Sequence, residues 1–192
     1  DPMKDVEVVR AVRDAVGDEM DIMVDANQAS HRVPPIWSHR TTYRVAHALE
    51  RLEVYWLEEP LHREDLNGLA ELTANMETLM FAGAESETQL RRFRQFFQQG
   101  CFDIVLPDTI WSGISTVKKI AVLAEAFDKL IIPHTHRICG LGLASSLQVI
   151  GSRSNCPYVE FGYEPSIITP KSRDRLLKEP IQIDKDGYVH IP

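Results

Sequence analysis

Short apolar runs that each end in a charged residue alternate along this chain with segments whose apolar side chains recur every three or four positions. The runs are Asp21-Ile22-Met23-Val24-Asp25, Val54-Tyr55-Trp56-Leu57-Glu58, Leu79-Met80-Phe81-Ala82-Gly83-Ala84-Glu85, Asp103-Ile104-Val105-Leu106-Pro107-Asp108, Leu130-Ile131-Ile132-Pro133-His134 and Tyr158-Val159-Glu160. Their terminal residues stand 23 to 33 positions apart, the length of one strand-plus-helix unit. The intervening periodicity predicts helices. Val6, Val9, Ala11, Val12 and Val16 open the chain, with Gly17 as the stop. Tyr43 to Leu52 follows, with Ala46 and Leu49 inward, then Asp65 to Leu72. Leu90, Phe93, Phe96 and Phe97 make the next stripe. Ile114 to Phe127 places Val117, Ile120, Ala121 and Ala124 on one face, and Leu141 to Ile150 comes last.

Six strands alternating with helices predict a parallel sheet, and continuous apolar runs predict strands covered on both faces. An open doubly wound sheet usually carries a glycine-rich phosphate turn after its first strand. Asp25-Ala26-Asn27-Gln28 stands there instead. A polar residue at every strand end suits a (β/α) barrel of the TIM type, whose strand ends converge on one face. After Gly162 the style changes: Pro165, Pro170 and Pro180 punctuate a polar stretch, and Gln182 to Ile191 reads as part of a hairpin. The chain therefore divides into a partial barrel over 1–162 and a C-terminal tail over 163–192. The loop from Ala29 to Trp37, with two prolines, is the longest insertion over the presumed active face.

Composition narrows the classes. A formal net charge of −7 argues against nucleic acid or an anionic membrane as the main partner. No apolar run approaches the length that spans a bilayer, and the first residues show no basic stretch followed by an apolar one. Cys101, Cys139 and Cys156 are odd in number and lack paired metal-ligand spacing, so reduced thiols and a cytoplasmic setting are expected.

Asp25, Glu58 and Glu85 end three successive strands. Carboxylates gathered at one point repel each other unless a cation sits among them. Hard oxygen donors select Mg²⁺, which keeps room for substrate oxygens. Each of the three could instead cap a helix or begin a loop; three in phase favour the metal. Asp108 and His134 end the next two strands. A carboxylate beside an imidazole fixes its tautomer and raises its pKa, making a proton carrier; the plain alternatives are a helix-capping Asp and a solvent-facing His. His136 shares strand parity with His134 and is its rival. Glu160 ends the last run and completes the ring.

Val24-Asp25-Ala26-Asn27, Trp56-Leu57-Glu58-Glu59-Pro60, Ala82-Gly83-Ala84-Glu85, Pro107-Asp108 followed by Ser112-Gly113, and Pro133-His134, in this order, resemble the barrel of the mandelate racemase branch of the enolase superfamily. The resemblance runs from the first helix to about Gly162, and the tail is similar too. It implies Asp25, Glu58 and Glu85 as Mg²⁺ ligands, and Asp108–His134 as the base/acid dyad. It implies Glu160 as a hydrogen-bonding partner of an enediolate, Glu59 as a supporting residue and Asn27 as an orienting one. Members often have glycine where Ala84 and Ser112 stand. They also carry a Lys-x-Lys or Lys-x-Arg pair on the strand before the first helix, behind an α+β capping domain. On that resemblance the chain lacks the first barrel strands, the capping domain and the opposite-face lysine. Isolated, it is then expected to be inactive.

The chemistry implied is Mg²⁺-dependent removal of the proton α to a carboxylate, through an enediolate whose growing charge the cation neutralises. The polar stretch from His31 to His39, with Trp37, suits a polyol acid better than an aryl one. Acid-sugar dehydration is the expected reaction, with a racemase or epimerase of a 2-hydroxy acid as the alternative. A small-molecule carboxylate is the expected partner, and a homo-oligomer the expected assembly. Two other classes stand beside this reading. One is a non-catalytic barrel remnant that binds a partner. The other is a phosphate-binding barrel enzyme, for which Gly140-Leu141-Gly142 is the only candidate grip.

Overall fold

The computed structural model describes residues 1–30, 36–135, 140–163, 166 and 168–191. Its strands are β1 (Ile22–Asp25), β2 (Val54–Glu58), β3 (Met80–Gly83), β4 (Ile104–Val105) and β5 (Leu130–Ile131). Its helices are α1 (Pro2–Val16), α2 (His39–Glu50), α3 (Leu66–Ala74), α4 (Leu90–Gln99), α5 (Thr109–Ser112), α6 (Ile114–Glu125), α7 (Gly140–Ile150) and α8 (Pro170–Arg173). The strands follow chain order in one sheet, β1-β2-β3-β4-β5, with parallel pairing in β1–β2 and β2–β3. Among the described residues this is part of a barrel sheet, not a closed one. The expected sixth strand is absent: Tyr158 to Glu160 has no assigned ladder. Pro157, just before it, has no backbone N–H to contribute to one. The chain clusters into two compact units. One comprises Asp1–Gly83 with Gln95–Ile104, the other Ala84–Arg94 with Val105–Pro192.

In the first unit, the Asp1 side chain caps α1 by accepting from the Met3 amide at 3.1 Å, Pro2 sits in the first turn, and Gly17 ends the helix at φ 65°. The sequence predicts five inward residues here, yet only Val6 is buried, while Val12 is exposed. A cavity of about 340 Å³ lies beside β1, lined among others by Val6, Val9, Val24, Trp37, Val45 and Leu49. The far end of α1 is held by polar contacts instead: Arg13 donates to the carbonyls of Leu52 (3.0 Å), Glu53 (2.9 Å) and Gly17 (2.8 Å). Ser38 caps α2, which starts at His39, four residues before the apolar stripe begins. Leu49, Leu57, Leu69, Leu72 and Phe81 are fully buried and form the core; each such side chain stabilises the fold by about 1.5–3 kcal/mol. Gly83 is required by packing: a Cβ there would meet Phe102 at 2.9 Å, and Phe102 in turn stacks edge-on against Phe96.

In the second unit, α6 buries Val117, Ile120, Ala121 and Ala124, the face its periodicity predicts. Leu143 and Leu147 of α7 pack with Ile181, so the tail is sewn onto this helix by apolar burial. Arg173 and Asp174 form a buried two-point ion pair, 2.7 Å at each contact, and the Arg173 guanidinium lies 4.2 Å over the Phe161 ring. The candidate phosphate grip is spent on packing: a Cβ on Gly140 would come within 2.4 Å of Asp174, and the Gly142 carbonyl accepts from Thr109 Oγ1. The hairpin expected in the tail is reduced to one antiparallel bridge, Ile183 with Val189. No helix among the described residues is long and apolar enough to cross a membrane.

The turn into β3 depends on a carboxylate. Glu50, at the end of α2, accepts backbone N–H groups of Glu77 (2.8 Å), Thr78 (2.9 Å) and Leu79 (3.3 Å) through one oxygen. Burial alone would raise its pKa; these donors and His47 outweigh burial and lower it below the ordinary 4.5. A lowered folded-state pKa gives stability that is present above about pH 4.5 and is lost as pH falls through the lowered value. Glu50→Gln should therefore cost about 1–3 kcal/mol at neutral pH, with the gap to the parent closing in acid. Urea unfolding at both pH values tests this, and a gap that is unchanged in acid would refute it.

Candidate active site

A buried carboxylate organises the second unit. Asp108 follows β4 and is 0% exposed. Its Oδ1 caps α5 by accepting the amides of Ile110 (2.6 Å) and Trp111 (3.1 Å), while Oδ2 stands 2.8 Å from His134 Nδ1. One oxygen thus caps the helix and the other meets the imidazole. Burial pushes its pKa up; the His134 bond and the two amides outweigh burial and hold it below its ordinary value.

His134 follows β5. Its Nε2 lies 3.3 Å from Glu85 Oε2, so the ring is bracketed by two carboxylates. Burial works to lower its pKa, but the bond to Asp108 and the charges of Glu160, Glu85 and Asp108 push it up to about 9. The ring therefore holds a proton more firmly than a free imidazole does.

Glu160 is set by a residue that no sequence pattern marks. Thr135 donates its amide to Glu160 Oε2 and its hydroxyl to the Glu160 carbonyl, each at 2.6 Å. Burial raises the Glu160 pKa, and the charges of Glu85 and Asp108 act in the same direction. His134 and the Thr135 amide oppose them without cancelling them. Thr135 could have been suspected only from its place directly after His134.

In the first unit, parallel register sets Asp25 opposite Glu58 at the ends of β1 and β2. Asn27 donates to both oxygens of Asp25, its amide at 2.8 Å to one and its side chain to the other. It can do so because its backbone is left-handed, at φ 51°. Glu59 is left-handed as well, at φ 44°, and joins its neighbours through backbone bonds: its amide to the Ala82 carbonyl, its carbonyl from the Gln28 amide. Among the described residues, no group of three or more His, Cys, Asp or Glu side chains is gathered closely enough to hold a metal ion. His136, the rival of His134, and Cys139 lie outside the described residues, as do residues 31–35 of the long loop. Cys101 and Cys156 are buried thiols, and burial pushes Cys156 up to about 12.

Comparison with known proteins adds the family. The model described as enolase C-terminal domain-like matches residues 1–192. The chain belongs to the enolase C-terminal domain-like family. Within it, the chain is 29% identical over 190 residues to an arabinonate dehydratase of Saccharolobus solfataricus, covering 98% of this chain and 47% of that protein. It is 36% identical over 132 residues to an L-talarate/galactarate dehydratase of Salmonella typhimurium, covering 68% of this chain and 31% of that protein. Among solved structures, a racemase from Streptomyces coelicolor A3(2) with bound magnesium superposes with a TM-score of 0.81 at 27% identity, over 100% of this chain and 47% of the other. The 3,6-anhydro-D-galactonate cycloisomerase of Zobellia galactanivorans gives 0.84 at 25% identity, over 100% and 50%. The chain spans half or less of the length of the curated relatives it matches. The expected recognition and barrel-type fold hold at this level.

The paired geometry predicts a measurable shift. With Asp108→Asn, His134 loses a charged acceptor, and its pKa in the metal-free protein should fall from about 9 by about 1–3 units. A titration of imidazole carbon-bound protons by NMR reads this directly. An unmoved His134 would show that Asp108 does not set its basicity.

Proposed function

We propose that this chain carries the acid/base half of an enzyme that removes the proton α to a carboxylate, and that the reaction is acid-sugar dehydration. The observation that carries the reading is His134 placed between Asp108 Oδ2 at 2.8 Å and Glu85 Oε2 at 3.3 Å, a setting that favours its protonated form. Dehydration needs a proton delivered to a departing hydroxyl, and an imidazolium oriented by a buried carboxylate is suited to that delivery. A base other than His134 takes the α-proton and leaves an enediolate; the β-hydroxyl then departs as water with the proton from His134, leaving an enol that tautomerises to a 2-keto-3-deoxy acid. Glu160, made harder to ionise by burial, donates a hydrogen bond to the enediolate oxygen when protonated. The curated relatives with printed activities are dehydratases of arabinonate, talarate or galactarate, and rhamnonate, which supports the substrate class.

Asp25, Glu58 and Glu85 would hold Mg²⁺. Hard carboxylate oxygens suit a hard cation, and Asp25 and Glu58 are register partners at the ends of β1 and β2. When bound, Mg²⁺ supplies charge that stabilises the carboxylate substrate as it becomes an enediolate. Further, the protein is expected to act in the cytoplasm as a homo-oligomer.

Two substitutions test this on the protein carrying this chain. Glu58→Gln should weaken Mg²⁺ binding by at least about 10-fold, read by calorimetry; unchanged affinity would remove Glu58 from the ligand set. His134→Asn should lower turnover of the preferred acid in an arabinonate, galactarate and rhamnonate panel by about 10²- to 10⁴-fold, with Mg²⁺ affinity nearly intact. Exchange of the α-proton with solvent and no loss of water would favour a racemase instead.

A further inference from the structure

We infer that Thr135 is a positioning residue for Glu160: its amide and hydroxyl together grip one carboxylate oxygen and the backbone carbonyl of Glu160, and so set where that carboxylate stands relative to His134. The inference rests on the reading of Glu160 as a site residue, and its test includes a measurement independent of turnover.

Three observations converge. First, the grip is double. Both bonds run between the same two residues, each at 2.6 Å, one to the side chain and one to the backbone. A Glu side chain has three rotatable torsions, and holding its far end together with its own carbonyl removes most of that freedom. Second, Thr135 is 4% exposed, so its hydroxyl is withdrawn from water and its bond to the carbonyl is not easily replaced by solvent. Third, the segment carrying Glu160 lacks the usual means of fixing a strand end. It joins β5 through the Ile131 amide to the Asn155 carbonyl at 3.0 Å, and no ladder is assigned from there to Glu160. At the far end of that segment, the Thr135 hydroxyl bonds the Glu160 carbonyl. A side-chain donor thus anchors the segment, and the adjacent N–H orients the carboxylate.

Thr135→Val keeps the shape of the side chain and its amide but deletes the hydroxyl; Thr135→Ser keeps the hydroxyl. The decisive readout is the amide proton of residue 135 in the metal-free protein, which is drawn downfield by its short bond to a carboxylate. Glu160→Gln identifies that contribution. In Thr135→Val the amide proton should move upfield toward its position in Glu160→Gln, although the N–H itself is untouched; in Thr135→Ser it should return toward the parent position. On the preferred substrate of the panel, Thr135→Val should lower kcat about 10- to 100-fold with little change in KM, and serine should restore most of it. A downfield amide retained in Thr135→Val would overturn the proposal, because Glu160 would then be held without the hydroxyl. Should the valine variant fail to fold, Thr135→Ser decides alone: a serine variant with a displaced amide signal overturns the assignment, and a parent-like signal sustains it. A displaced amide signal with unchanged kcat would leave the grip intact and remove Glu160 from the reaction.

Discussion

Ionising a carboxylate away from water is costly, and Asp108 meets that cost with three donors. Two are amides of the short helix it starts, and the third is the imidazole of His134. The arrangement constrains everything around it. The cap fixes the direction in which the chain leaves β4, because α5 begins on the carboxylate. The other oxygen fixes the His134 tautomer, since Nδ1 must carry a proton to bond an ionised acceptor. The basicity of the ring follows from the same contact, with Glu85 and Glu160 adding to it against the effect of burial. One buried charge therefore sets a turn, a tautomer and a proton affinity.

Backbone strain gathers at the same kind of place. Asn27, Glu59 and Ala84 are non-glycine residues at positive φ, and each lies within two residues of the end of β1, β2 or β3. A left-handed conformation costs an ordinary residue about 1–2 kcal/mol. At Asn27 the return is visible, since the turned backbone lets its amide and side chain both reach Asp25. At Ala84 the strain explains why glycine would be at home there. Glu53 and Asp128 are also left-handed, but they precede β2 and β5 and serve as turns after helices.

The parts of the fold readable from sequence are those where one period dominates. The α6 face, the α4 aromatic stripe and the β2 run are buried as their spacing predicts, because each packs one face against a continuous core. α1 misled for the opposite reason: its valines are periodic, but only Val6 finds a core to enter, and its far end is held by the polar contacts of Arg13. The α2 start was misplaced because its first turn is polar and is defined by the Ser38 cap, which hydrophobic periodicity does not register. Of the site, the strand-end charged residues stood out because their recurrence is regular. Thr135 did not, since a buried hydroxyl has no distinguishing spacing. The cap expected of Asp108 is present, and because a carboxylate has two oxygens the second is left to meet His134.

The tail illustrates how support reaches the dyad from a distance in sequence. Asp174 accepts the Ile181 amide and pairs with Arg173, while Arg173 donates to the Ile181 carbonyl. This closed network could not tolerate loss of one partner, because a lone buried charge would remain. Asp174 also lies against Gly140 at the start of α7, close enough that no side chain fits between them. Along α7, the Gly142 carbonyl and the Ser146 hydroxyl both meet Thr109 Oγ1, at 3.2 and 3.1 Å. Thr109 is the residue next to Asp108 and the first of α5. The chain of contacts runs from the tail ion pair through α7 to the cap that orients His134. Apart from the close packing of Gly140 on Asp174, the links are polar, set against Leu143, Leu147 and Ile181. The apolar cluster supplies adhesion, which is tolerant of small shifts. The polar links supply register, and a carboxylate–imidazole contact needs register more than adhesion.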